Sequence, residues 1–168
     1  MNARSGKGIT VEDDATPELR VEHVAPQRLH ELRRRVLRAN NPTISVADPR
    51  DDDDTAVHFA GLLGERVVVS ASFYPDASPV DPHLPTYQLR YMATDFDVQG
   101  RGYGSRVLAE AEAFLAGRGV RQIWANGRDT ALGFYETTGW RVVPGSDHLS
   151  PETRLPHHVI VKRIGDDD

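Results

Sequence analysis

The chain has 168 residues, a formal net charge of -5 and no cysteine. This excludes disulfides, Cys-ligated zinc or iron–sulfur sites and a cysteine nucleophile, and it counts against a general nucleic-acid binder, which is usually basic. Apolar residues at 39% and charged residues at 27% suit one domain with its own core, and no apolar run approaches the roughly 18 residues of a membrane span. The stretch MNARSGKGITVEDD has no apolar run of the kind a secretory signal needs, so the expected location is cytoplasmic, with no membrane partner.

Residues 1–17 and 165–168 show no apolar period and read as mobile tails around a domain over 18–164. Residues 19–24 alternate apolar with polar, as a strand does. Pro26 suits the first turn of a helix that carries Leu29, Leu32, Val36 and Leu37 and stops at Asn40-Asn41-Pro42. Arg33, Arg34, Arg35 and Arg38 are expected on its solvated face. The acid run Asp51 to Asp54 reads as a solvated loop that steers a cationic substrate. Strands follow at 56–63 and 66–73, joined by a hairpin at Gly64-Glu65, and a third at 87–94.

After a glycine-rich break comes a helix with Val107, Leu108, Ala111, Phe114 and Leu115 on one face, ended by Gly117 and Gly119. A strand at 120–125 leads to Asp129, the expected N-cap of a short helix bearing Ala131, Phe134 and Tyr135. Strands at 140–143 and 157–164 complete the chain, with Trp124 and Trp140 expected in the core. The order is β-α-β-β-β-α-β-α-β-β, an α/β fold whose crossover at 87–125 joins parallel strands.

The segment Gln99-Gly100-Arg101-Gly102-Tyr103-Gly104 stands between a strand and an amphipathic helix. Glycines there permit positive φ and close approach of a ligand, and the helix start offers unpaired N–H donors. A phosphate site is one reading and a tight turn without ligand is the other. No Gly-Lys-Ser/Thr follows, so a P-loop is excluded, and Ser105 stands where a dinucleotide fingerprint needs a third Gly or Ala.

The segment resembles the Gln/Arg-x-x-Gly-x-Gly/Ala motif of the GNAT superfamily of acyl-CoA-dependent N-acyltransferases. Ala131-Leu132-Gly133-Phe134-Tyr135-Glu136-Thr137-Thr138-Gly139-Trp140 is similar to that family's Ala-x-x-Phe-Tyr-Glu-x-x-Gly-Phe. Met92-Ala93-Thr94 lies where the family often has Ala-Val, with Thr94 in place of a common valine. Arg128 stands where many members have asparagine, and Asn126-Gly127-Arg128 resembles the Asn-Ala-Arg of a subset.

The resemblance implies a single-domain GNAT-like mixed β-sheet flanked by helices, and acetyl-CoA as co-substrate with no metal. The implied contacts to it are Met92, Ala93, Thr94, Gln99, Gly100, Arg101, Gly102, Tyr103, Gly104, Ser105, Asn126 and Phe134. A bulge in that strand, also implied by the resemblance, would aim a backbone N–H at Met92 or Ala93 toward the thioester carbonyl. Tyr135 would be the general acid toward the leaving thiolate.

With no cysteine to carry an acyl group, direct attack by an amine is the expected route. The base candidates are His58, Glu65, His83 and His157, with His58 and His157 foremost as catalytic residues. The histidines lack metal-ligand spacing. The expected acceptor is a primary amine of a small molecule, with no nucleic acid as partner. Protein N-terminal or lysine acetylation and a non-catalytic acyl-CoA-binding module are the alternatives. A homodimer is an open alternative to a monomer.

Overall fold

A computed structural model describes residues 17–165; most of both expected tails lies outside the described residues. The strands are β1 (Leu19–His23), β2 (Val57–Leu63), β3 (Arg66–Pro75), β4 (Thr86–Thr94), β5 (Gln122–Arg128), β6 (Arg141–Val142), β7 (His148–Leu149) and β8 (Pro156–Arg163). Helices α2 (Tyr103–Gly117) and α3 (Leu132–Thr137) follow β4 and β5. The helical stretch 26–37, α1, is not a regular α-helix. A 3₁₀ turn at Pro26–Leu29 passes through one α turn at His30–Leu32 into a π turn at Arg33–Leu37.

One mixed sheet runs β1-β2-β3-β4-β5-β8-β6, with β7 also paired to β8. All neighbours are antiparallel except β4 and β5, which are parallel, as the crossover at 87–125 requires. Strand β7 is absent from the sequence reading, because two residues carry no period. Asp129 does not cap the short helix; it accepts a 2.6 Å hydrogen bond from His158 Nδ1 instead.

The two faces of the sheet differ in chemistry. Phe59 of β2, Val69, Ala71 and Phe73 of β3, Leu89 of β4 and Ile123 and Ala125 of β5 form the main core with Val107, Leu108, Ala111 and Leu115 of α2. The alternate residues of β2 and β3 face α1. There, Leu29, Ala60 and Leu62 form a small apolar cluster, while His58, Ser72 and Tyr74 form a buried polar one. Trp140 is buried as expected; Trp124 is only half-buried, its Nε1 donating to the Asp76 carbonyl.

Arg33 occupies the centre of the polar cluster with no solvent exposure. Its guanidinium donates to the Val46 carbonyl at 2.8 Å, to Asp51 at 2.9 Å and 3.3 Å, and to Ser72 Oγ at 2.7 Å. This corrects two expectations. Of Arg33, Arg34, Arg35 and Arg38 only Arg34 is exposed: Arg35 pairs with Asp95, and Arg38 with Glu152 at 2.7 Å. Asp51 is no solvated loop residue but a buried anion that also accepts from the Tyr74 hydroxyl and the Asp48 N–H. A side chain that is charged in sequence becomes an anchor when its counter-ion arrives from another segment.

Burial alone would raise the Asp51 pKa. The hydrogen bonds from Arg33 and Tyr74 outweigh it and hold this carboxyl well below the ordinary carboxylate range. A depressed folded pKa stabilises the fold above the unfolded value near 4, and that share is lost as pH falls through the lower folded value. We expect Asp51→Asn to cost about 3–5 kcal/mol at pH 7 in urea unfolding, the range for breaking a buried ion pair. Its stability should also fall less steeply than the parent's below pH 4.

Candidate active site

Strands β4 and β5 pair only at Thr86–Gln122, Tyr87–Ile123 and Gln88–Trp124, and then separate. The rest of β4 therefore has one edge without a strand partner. A cleft of about 350 Å³ opens there. Tyr91 and Met92 line it from β4, Asn126 and Arg128 from β5, Tyr135 from α3 and His157 from β8.

A β-bulge lies in β4 at the start of this gap. Ser72 pairs with Arg90 and Ser70 with Ala93, so Tyr91 and Met92 together oppose the single Ala71. Tyr91 has φ 56, a left-handed conformation that is costly for a bulky residue. Three contacts hold it there. The Arg33 guanidinium lies 4.1 Å from its ring centroid, its hydroxyl donates to Asp48 at 3.1 Å, and its carbonyl accepts from Ser70 Oγ at 2.7 Å. The extra residue turns both Arg90 and Tyr91 toward α1. Met92 and Thr94 return to the α2 face, where both lie close to Gly104.

The glycines of the motif have different reasons to be there. Gly100 and Gly102 both have φ 79, and no atom lies within 4 Å of where a Cβ would stand. They shape the turn into α2 and leave its mouth clear. At Gly104 a Cβ would sit 3.2 Å from Met92 Cε and Thr94 Oγ1 and 3.4 Å from Phe134 Cζ, so its lack of side chain serves close packing of α2 on β4 and α3. Gln99 Nε2 donates to the Thr94 carbonyl at 3.1 Å. Arg101 is exposed, while Tyr103 and Ser105 are half-buried in the first turn of α2.

Tyr135 is buried between Phe134 and Trp140, with ring centroids 5.1 Å and 5.3 Å away. Burial raises its pKa well above the ordinary tyrosine value, and nearby Arg128 opposes this only in part. Its hydroxyl therefore keeps its proton across the neutral range.

The other side of the cleft is polar. In β5, Ile123 and Ala125 join the core, so alternation places Trp124, Asn126 and Arg128 on the α1 face. Asn126 is thus in the cleft, but on the face opposite the glycine segment. Arg128 pairs across strands with His157, and His157 with His148, which puts three basic side chains in one row. His157 Nδ1 lies 2.7 Å from the Leu155 carbonyl and must donate to it, which leaves Nε2 as the lone-pair nitrogen of the neutral ring.

The remaining base candidates fall elsewhere. His58 lies outside the cleft, in the polar cluster. Its Nε2 donates to the Asp51 carbonyl at 2.9 Å, so its Nδ1 accepts from Ser72 Oγ at 2.7 Å. Both nitrogens are spent and burial lowers its pKa, which removes it as a base. Glu65 sits at the β2–β3 turn with its side chain 90% exposed, and His83 is an exposed loop residue. The acid run does not line the cleft either; Asp52, Asp53 and Asp54 are exposed beside it in sequence only. Among the described residues no helix is long and apolar enough to cross a membrane.

A sheet parted at one parallel seam, a bulged strand beside the gap and a glycine turn into the next helix define an acyl-CoA-dependent acyltransferase fold. Residues 26–140 match the family model of the acetyltransferase (GNAT) family, and the chain belongs to that family. It is 28% identical over 123 residues to the uncharacterized N-acetyltransferase YitI of Bacillus subtilis (strain 168), covering 73% of this chain and 83% of that protein. Escherichia coli ElaA superposes with a TM-score of 0.69 at 15% identity over 86% of this chain and 99% of that one. An aminoglycoside 6'-N-acetyltransferase crystallised with coenzyme A gives 0.69 at 13% identity over 88% and 99%. The protein is thus an acetyl-CoA-dependent N-acyltransferase, which moves an acyl group to an amine.

The assignment of His58 to the fold is testable. We expect His58→Leu to lower stability by about 1–3 kcal/mol, the cost of leaving the Ser72 hydroxyl hydrogen without its acceptor and the Asp51 carbonyl without its donor. The pH profile of kcat/KM should keep the parent's shape.

Proposed function

We propose that the protein acetylates a primary amine of a small molecule by direct attack on acetyl-CoA, with Tyr135 as general acid. The observation that carries this reading is the parted β4–β5 seam, with a bulge on one side and a buried tyrosine hydroxyl on the other. The residues suit the co-substrate. Gly100 and Gly102 leave open space before the α2 N-terminus, whose free N–H groups and partial positive charge favour a pyrophosphate. Gln99, Arg101, Tyr103 and Ser105 surround that position. The open edge of β4 at Met92, Ala93 and Thr94 offers backbone groups to the pantetheine amides, as an added strand would use them. Gly104 and Phe134 close the floor.

Acetyl-CoA supplies an activated thioester; this chain positions it and manages charge and protons. A backbone N–H at the bulge, at Met92 or Ala93, donates to the carbonyl oxygen as that oxygen gains negative charge, an effect commonly worth a few kcal/mol. The Tyr135 hydroxyl gives its proton to the departing sulfur as the C–S bond breaks. His157 Nε2 removes the proton from the attacking amine. The acceptor enters from the α1 side, where Glu152 joins Arg38 at 2.7 Å and Arg90 at 2.9 Å and narrows the approach. That narrowing and the cleft volume favour a small molecule over a protein chain end or lysine.

Two expected outcomes test this. Ser105→Glu places a carboxylate in the first turn of α2, where it favours the helix but repels a bound pyrophosphate. The free protein should unfold at an equal or higher temperature, while calorimetry should show CoA affinity lowered at least about tenfold. Unchanged affinity would remove the pyrophosphate from this site. Tyr135→Phe should fold and bind CoA as the parent does and turn over on the order of 10²-fold more slowly, the low end for losing a positioned acid. Equal turnover, with chemistry rate-limiting, would leave Tyr135 as packing alone.

A further inference from the structure

The charges of the cleft bear on which amine it accepts. Three arginines line it, Arg38, Arg90 and Arg128, against one carboxylate, Glu152. Arg38 and Arg90 are both neutralised: they share Glu152, and Arg90 also donates to Asp48 at 3.0 Å. Arg128 is different. It is half-buried, and its guanidinium donates to the Leu37 carbonyl at 3.2 Å, but among the described residues no carboxylate lies within ion-pair distance of it. The nearest acid in sequence, Asp129, belongs to His158 on the other face of the sheet.

A half-buried guanidinium without a counter-ion is costly to keep, and it is a ready partner for a carboxylate, which it can bind through two parallel hydrogen bonds. The neighbours in its row strengthen this. His157 and His148 both turn Nδ1 to a backbone carbonyl, at 2.7 Å and 2.8 Å, so each keeps Nε2 as a lone-pair nitrogen. Directly opposed cross-strand positions have Cβ atoms roughly 5 Å apart. The row therefore sets a carboxylate-binding group beside a proton-accepting one at a spacing of a few carbon atoms. Nothing in the cleft offers a second cationic group a carboxylate of its own.

We propose that the acceptor is a small amino acid or similar amino carboxylate: Arg128 holds its carboxylate while its amine lies at His157. This rests on the acyl-transfer reading above and names the substrate class. It replaces the cationic acceptor suggested by the acid run, since Asp51 is internally paired and the run lies outside the cleft. A polycationic amine would meet Arg128 and the two histidines with no anion to balance its further charges.

The test is thiol release from acetyl-CoA with a panel of amino acids and, for each, the matching amino acid amide. The expected result is a kcat/KM at least tenfold higher for the acid of the best pair. In Arg128→Gln that acid-to-amide ratio should fall toward one, with the loss in KM rather than kcat, and Arg128→Lys should recover part of it. Calorimetry of the CoA-loaded parent with N-acetyl amino acids and their amides gives a readout without turnover. Tighter binding of the acids is expected there too.

Amides that serve or bind as well as acids would overturn the proposal, as would an Arg128→Gln protein with an unchanged ratio. Should that variant not fold, the parent's two acid-to-amide comparisons decide. No thiol release with any amine would refute the acyl-transfer reading instead, and the calorimetric comparison would still decide whether the cleft selects a carboxylate.

Discussion

The buried Arg33–Asp51 pair is the constraint on which the rest of the site depends. A guanidinium removed from water must find acceptors, and Arg33 finds them only when four segments are in place together. It takes Asp51 and the Val46 carbonyl from the loop after α1, Ser72 from β3 and the ring of Tyr91 from β4. The bulged conformation of Tyr91 costs of order 1–3 kcal/mol for a non-glycine residue and persists because this arrangement over-determines it. An ion pair that does not itself line the cleft thus helps to set where the backbone of β4 stops following the sheet.

The sheet separates two kinds of work. On the α2 face the contacts are apolar, with Leu, Val, Ile and Phe packed against the helix that begins at the glycine turn. On the α1 face they are polar and charged, yet nearly every charge is matched: Arg35 with Asp95, Arg38 and Arg90 with Glu152, Arg50 with Asp48. Against that background one half-buried arginine without an anion is conspicuous, whereas on a surface crowded with free charges it would mean little. The same matching explains why the acidic loop contributes little field to the cleft. Asp48 and Asp51 are spent on internal partners.

Much of this was legible in the sequence. The alternation in β2 and β3, the helical period of α2 and the glycine breaks mark their elements to within a few residues, because burial of one face enforces a period. Gln99 to Gly104 and Phe134-Tyr135 mark the turn into α2 and the short helix α3, since local backbone geometry requires those residue types. What failed was non-local. Arg33 reads as a solvated charge until Asp51, 18 residues away, is brought to it. The resemblance implies a bulge in the strand 87–94, but its residues do not locate it, because Tyr91 is an ordinary strand residue and only the register with Ser70 and Ser72 reveals the extra one. His58 and His157 are both candidate bases in sequence; position in the fold and hydrogen-bond partners separate a locked ring from one with a free nitrogen. The π turn at Arg33–Leu37 belongs to the same class, as it follows from where Arg33 and Arg38 must reach.

The seam between β4 and β5 also shapes how the chain reaches its fold. The β2–β3 hairpin closes a two-residue turn and is rewarded at once with a long ladder, whereas Thr86 and Gln122 are 36 residues apart and gain only three pairs. Loop-closure entropy grows with that separation while the reward does not. The two antiparallel halves, β1–β4 and β5–β8, therefore meet in the sheet at those three pairs. The gap lies at this parallel seam of three pairs, and a molecule lying along the bare edge of β4 would supply hydrogen bonds that no strand partner makes.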